Sequence, residues 1–417
     1  MLLTRRKALP ALLISLLGLL ALAPACAAGV KWVVRGHGFG HGVGMSQYGA
    51  YGYAVHGKGY RFILGHYYSG TSIGELSDGQ QVRVLVDISS GDIGFSGATS
   101  ACGKTLDAGR AYEAHRAGSS VKLRSSAGRP LADCGRRLRA AGNGRVQIAG
   151  TPYRGALEVT PTDSDAGSLN AINALPINQY VKGVIANESP SSWPQAALRA
   201  QAVAARSYAL SVQVEGNGFN LYNDTRSQVY KGISSETAAT NQAADATRSQ
   251  VVMYGGEIAE TYFSACSGGH TESVQNVFFG AAIPYLVGVP DPYDYYCPLH
   301  KWTLRFSGPQ ISAKLGGYLN GRLKRIVITR RGASPRIVWA RLYGSGGVSR
   351  IRGDQLAAAL GAYDRWMSFE KVAAGGQPQG AGTAPPPAAG GQTQGSGVSA
   401  SRAKMARWSL PGSESSP

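Results

Sequence analysis

Between residues 80 and 165, short apolar runs (VRVLVDI, SVKLRS, RVQIA, GALEV) are cut by Gly, Ser and Asp breaks. That alternation predicts half-buried strands joined by turns. From Ile177 the period lengthens. Ile177, Tyr180, Val181, Val184 and Ile185 fall on one helical face through Asn187, and Pro190 ends the run. Pro194 suits the first turn of a second helix, with Ser192 as a candidate cap, extending to about Val214. This second helix is rich in alanine and poor in charge, which fits a buried or closely packed helix. Residues 30–75 are rich in glycine and aromatics, and residues 220–370 return to mixed short strands and turns. The pattern predicts an α+β fold: a short-stranded, β-rich body with a buried alanine-rich helix pair carrying the site loop.

The ends of the chain read differently. Arg5, Arg6 and Lys7 precede an apolar run over residues 9–22, and Ala25-Cys26-Ala27 offers a small-residue cleavage pattern. Residues 1–27 are therefore expected to be a secretory signal peptide, giving an exported protein. Thr4-Arg5-Arg6 also hints at a twin-arginine leader. From residue 373 to 417 the chain is dominated by Gly, Pro, Ala, Gln and Ser, a composition expected to stay disordered. A domain over residues 28–372, with a strand-rich subregion at about 80–165, lies between. Cys102, Cys134, Cys266 and Cys297 then make an even count for an exported chain. Pairing in sequence order is the simplest of three connectivities.

Formal charge is +18, with 42 basic against 24 acidic residues. Removing a leader with three basic residues leaves +15. Such a balance points to an anionic partner, for which a bacterial cell wall surface serves as well as any. The basic residues are scattered with no reader motif, so nucleic acid is not expected. Apolar content of 43% is globular and too low for a multi-span membrane protein.

The chemistry concentrates between the two predicted helices, where Glu188 is a lone carboxylate in the loop ESPSSW. The stretch INALPINQYVKGVIANESPSSWPQAALRAQAVAARSYAL resembles the signature of the SpoIID/LytB family, whose members are stage II sporulation protein D and the amidase enhancer. Further similarity runs through GFNLYNDTRSQVYKG, SQVVMYGGEIAETYFSACSGGHTES, IPYLVGVPDPYD, RGHGFGHGVGMSQYGA and ILGHYYSGT. The order departs from the family. The GHGVGMSQ element usually follows the catalytic region, and here it precedes it, as if permuted.

The resemblance implies a lytic transglycosylase that cuts the MurNAc–GlcNAc bond of peptidoglycan glycan strands and leaves 1,6-anhydro ends, with Glu188 at the position of the family's essential glutamate. The chemistry is coherent with one carboxyl. Ordinary glycoside hydrolysis uses two; when the sugar's own hydroxyl is the nucleophile, one group can protonate the leaving oxygen and then accept the hydroxyl proton. Ile185 and Trp193 are the local apolar groups that could raise its pKa. The alternative from the same family is a non-catalytic wall-binding enhancer of an N-acetylmuramoyl-L-alanine amidase.

Other residues are expected around this centre by similarity. His41, Ser46 and Gln47 would be polar contacts in a glycine-rich cleft wall, or parts of a structural turn. Arg206 could pair with an acid or orient a substrate group. Gln228 and Tyr230 could bond sugar hydroxyls, or pack. Ser264, Ser267 and His270 lie in a loop expected to line the cleft. Cys266, His270, Cys297 and His300 form a Cys₂His₂ set on paper, so zinc stands as an alternative to a Cys266–Cys297 disulfide; no cofactor is otherwise expected.

Overall fold

A computed structural model describes residues 31–77, 79–162, 167–214 and 218–372; the leader and the tail expected from the sequence lie outside the described residues. The helices, in chain order, are α1 (Gln47–Val55), α2 (Tyr60–Tyr67), α3 (Ile177–Glu188), α4 (Gln195–Ser211), α5 (Ala238–Ala246), α6 (Val274–Phe278), α7 (Gly308–Lys314) and α8 (Gly353–Leu360). With the sheets below they make a mixed α+β protein with a β-rich body, as the sequence pattern predicts.

The alternating segment forms the main sheet. Its antiparallel path runs Pro130–Asp133, Ser120–Ser125, Ala111–Ala117, Ile93–Ser96, Leu138–Ile148, Thr151–Pro161, Leu169–Pro176 and Gln81–Ser89, and Leu221–Tyr222 joins the last in parallel. Period-2 alternation turns Leu157, Val159, Val82 and Val84 into the core. Cys102 is bonded to Cys134. The strand Leu169–Pro176 is buried along almost its whole length and leads directly into α3 through Pro176. The sheet therefore sets the direction of the helix that carries Glu188.

Alanine makes α4 a central element. Ala197, Ala200, Ala202, Ala204, Ala205 and Ala209 are buried, and small side chains let α1, α2, α3 and α5 pack closely around them. The helix starts after Pro194, with no side-chain cap, and Ser192 is exposed, so the expected serine cap is not used. Pro194 itself occupies the cap position and has no side-chain acceptor to offer. The helix also stops at Ser211, slightly short of the expected end.

A second apolar core gathers Trp32, Val34, Leu299, Trp302, Ile311, Leu315, Ile337, Leu342, Ile351, Leu356 and Met367. Its sheet is made from both ends of the described chain: Lys31–His37 lies between Lys301–Ser307 and Met367–Val372, antiparallel to both. A further antiparallel sheet, Leu323–Arg331, Ile337–Gly344 and Gly347–Arg352, covers the same core. The N-terminal strand thus delivers the glycine-rich segment that follows it onto residues 262–272. Met45–Ser46 pairs in parallel with Phe263–Ser264, Phe39 bridges Cys266, and Val43 bridges Glu272. Gly42 and Gly44 hold positive φ there, and a Cβ on Gly44 would lie 2.1 Å from the Tyr262 carbonyl oxygen. These pairings bring the N-terminal glycine-rich segment against residues 262–272 although about 220 positions separate them in sequence.

Candidate active site

Pro190 explains why the helix ends at its acid. A residue before proline avoids the helical region, and Ser189 is extended (φ −139°, ψ 136°) while its N–H still bonds the Ile185 carbonyl. Glu188 becomes the last helical residue, pointing into the junction of α1, α3, α4 and the segment 227–230. Its side chain is only 1% exposed. One carboxyl oxygen accepts the Val229 N–H (3.2 Å); the other accepts Gln47 Nε2 (3.2 Å), which also donates to the Glu188 backbone carbonyl (3.0 Å). Burial pushes the pKa from 4.5 up to about 8, against the downward pull of those two donors. The carboxyl is held neutral near pH 7.

The groups around it are unusually short of partners. Gln47 Oε1, Ser189 Oγ, Gln201 Nε2 and Gln228 Nε2 are buried without a hydrogen bond. All four sit on residues that touch Glu188, adjoin it in sequence, or contact its neighbours: Gln201 Oε1 lies 3.5 Å from Gln47 Nε2, and Gln228 precedes Val229. Buried polar atoms are normally satisfied, so this cluster has unused capacity to bond a polar ligand.

Gln47 arrives here because Ser46 caps α1. The Ser46 hydroxyl accepts the Gly49 N–H (3.0 Å) and donates to Asp294 Oδ1 (2.9 Å). Asp294, fully buried, also accepts the Ser267 and Gly268 N–H groups and faces His300 Nδ1 at 2.9 Å. Beside it, Asp291 accepts Tyr67 Oη (2.9 Å) and Ser267 Oγ (2.7 Å), and burial next to Asp294 raises its pKa to about 7. Two buried aspartates therefore tie α1 and α2 to the loop 264–300. The sequence pattern assigned neither, although both stand in IPYLVGVPDPYD; their signal was a pair of acids three apart in a proline-rich turn.

On the outer side, Trp193 packs against Tyr48 and Tyr51, with ring centroids 5.1 Å apart in each case, and Tyr51 meets Tyr296 at 5.3 Å. Tyr295 continues this row and is 52% exposed. An aromatic strip thus runs from the Glu188 loop across the first helix. Of its rings, only Trp193 was singled out from the sequence.

The remaining expected residues have defined places. Gln228 Oε1 accepts the Tyr180 hydroxyl (3.1 Å), and Tyr230 donates to Asn173 (2.7 Å) while its ring packs on Tyr153 and Tyr180. Ser264 Oγ accepts the Gly42 N–H (3.2 Å). His41 Nδ1 accepts the Val43 N–H, its ring meets Tyr262 and Phe278, and burial with nearby Arg365 and Arg336 drives its pKa to about 3. His270 Nδ1 lies 2.7 Å from the Thr271 carbonyl. Arg206 is fully buried and donates to the Gln250 and Ala244 carbonyls and to Asn178 Oδ1, joining α4 to α3, α5 and a neighbouring strand. Of the roles open to it from the sequence, pairing with an acid is not seen among the described residues: neutral acceptors take its terminal N–H groups, and its Nε has no partner.

Cys266 is bonded to Cys297. The disulfide takes both thiolates of the zinc alternative, and no group of three or more His, Cys, Asp or Glu side chains among the described residues is arranged to hold a metal.

Comparison with known proteins places this geometry in context. Residues 165–254, which include α3, Glu188, α4 and the Gln228–Tyr230 segment, match the family described as stage II sporulation protein (SpoIID). An uncharacterized protein of Brachyspira hyodysenteriae is 40% identical over 174 residues, covering 41% of this chain and 46% of that protein. The amidase enhancer of Bacillus subtilis is 37% identical over 134 residues, 32% of this chain and 18% of the enhancer. Stage II sporulation protein D of Bacillus subtilis is 32% identical over 168 residues, 36% of this chain and 49% of that protein. The chain spans about half or less of the length of these relatives.

Proposed function

From a chain whose residues 165–254 belong to the SpoIID family, we propose a lytic transglycosylase acting on peptidoglycan glycan strands, with Glu188 as acid and then base. The observation that carries this reading is a neutral carboxyl, sealed from solvent, on a helix end whose neighbouring residues hold buried polar atoms without partners. Glu188 donates its proton to the glycosidic oxygen as the C1–O bond breaks. The C6 hydroxyl of the MurNAc residue then bonds to C1, and its proton passes to the Glu188 carboxylate. No water is consumed, the anhydro ring closes, and the enzyme returns protonated. Such proton transfer contributes about 10²–10⁴-fold; the rest comes from positioning, for which the strip Tyr48–Trp193–Tyr51–Tyr296 offers stacking surface. Gln47 rests on the carboxyl through its amide and is the group a substrate would displace.

The working place is the bacterial envelope. The expected leader, the two disulfides and similarity to a protein named for sporulation support export. No helix among the described residues is long and apolar enough to cross a membrane. The second reading, an enhancer that stimulates a cell-wall amidase, is favoured by the alignment with the amidase enhancer. One assay separates them. Purified protein incubated with glycan strands, with or without stem peptides, should yield products one water lighter than hydrolysis products by mass spectrometry, and Glu188→Gln should abolish them. Wall binding without such ends would favour the enhancer.

A further inference from the structure

The sheet Leu323–Arg331, Ile337–Gly344, Gly347–Arg352 buries Ala340, Leu342 and Ile351 against the second core. Alternation must then send their neighbours outward. Those neighbours are mostly cations. Arg341 stands directly opposite Arg350, Arg325 opposite Tyr343, and Arg330 opposite Trp339. Like charges directly opposite on paired strands destabilise a sheet, yet here carboxylates are scarce. Among the described residues the acid on this face is Asp354, and it is taken by Arg352. Arg330 donates to the neutral Asn276 amide (2.9 Å).

The rings act as supports for the cations. The Arg350 guanidinium lies 3.7 Å from the Trp339 ring centroid and that of Arg325 lies 4.3 Å from Tyr343. Stacking fixes each planar fork and leaves its N–H edges available for bidentate bonds to an oxyanion. An open depression of about 320 Å³ is lined by Thr329, Arg330, Trp339, Arg341 and Arg350. Adjacent strands set cations roughly 5 Å apart and alternate residues about 7 Å apart. A ligand with a charge in every backbone repeat can meet several of them at once, whereas a lone carboxylate cannot.

We propose that this face binds a linear phosphodiester polymer, in an anchoring site separate from Glu188. Single-stranded nucleic acid carries the same charge, but it relies on free aromatic faces for base stacking. Here guanidinium groups already cover those faces.

The test measures binding of the purified protein to poly(glycerol phosphate) chains over a range of salt concentrations. Arg341→Gln with Arg350→Gln should weaken binding about tenfold or more and lower the slope of log K against log salt by about two. The melting temperature should stay equal or rise, since the opposed charges are gone. Should that variant unfold, Arg325→Gln with Arg330→Gln carries the same test. Glu188→Gln should bind the polymer like wild type, and the arginine variants should keep their activity on isolated glycan strands. Unchanged polymer binding by the arginine variants, or its loss in Glu188→Gln, would overturn the proposal. Tighter binding to phosphatidylglycerol vesicles or to single-stranded DNA of equal charge would also overturn it.

Discussion

Glu188 is an acid that the fold keeps at a cost to its own stability. With a folded pKa of about 8 against 4.5 for the free group, the native state holds a proton that the unfolded chain releases between those values. The penalty is absent below about pH 4.5, grows through that window and is complete above pH 8. Glu188→Gln should therefore raise the unfolding free energy by a few kcal/mol at pH 8, since each tenfold change in proton affinity is worth about 1.4 kcal/mol, and leave it unchanged at pH 4. Urea titrations at the two pH values check this. The proposed activity should carry the same signature, falling as pH rises through about 8. Gln47→Leu removes a donor that favours the charged form, so the alkaline limb should move upward. A limb that stays in place would remove Gln47 from any role in positioning the acid. At this scale the acid was legible in the sequence because prolines punctuate its loop. Gln47 was named as a cleft contact, but its bond to a residue 141 positions away could not be derived from spacing. Arg206 was open to several readings because a charge in an alanine-rich run suits an ion pair as well as a substrate contact; its terminal N–H groups meet two backbone carbonyls and the Asn178 amide oxygen, and its Nε has no partner.

The elements divide the same way. The helix pair and the strand-rich segment follow from local period and come out close to the expected boundaries. How α3 meets its neighbours does not, because close approach depends on which residue is absent. A Cβ on Gly183 would fall 2.5 Å from the Tyr230 ring, so this glycine lets the segment 227–230 lie against α3 and present the Val229 N–H to Glu188. Gly183→Ala should push that segment away. The expected cost is about 1–3 kcal/mol in thermal unfolding, as for other overpacked sites. Losing the Val229 donor should also raise the Glu188 pKa, shifting the pH–rate profile in the same direction as Gln47→Leu. Overpacking without a change in that profile would show that the Val229 bond is incidental.

The least legible feature is global. Nothing local in KWVVRGH reveals that its two partners are residues 301–307 and 367–372, because pairing over such separations leaves no periodic trace. Cutting the chain after residue 300 should strip both edges of that strand and most of the second core. The expected result is loss of cooperative unfolding by calorimetry, together with loss of activity, even though residues 165–254 remain intact. Retained activity in the shortened chain would make the second core dispensable to the site. The same pairing orders events in time. Gln47 belongs to the segment launched by the first strand, and that strand gains its second neighbour only when residue 372 has been delivered. On the proposed reading, a chain exported from its N-terminus would carry an unfinished site until residue 372 is delivered. A proposed wall-cutting activity that awaits that strand would stay silent for most of its passage.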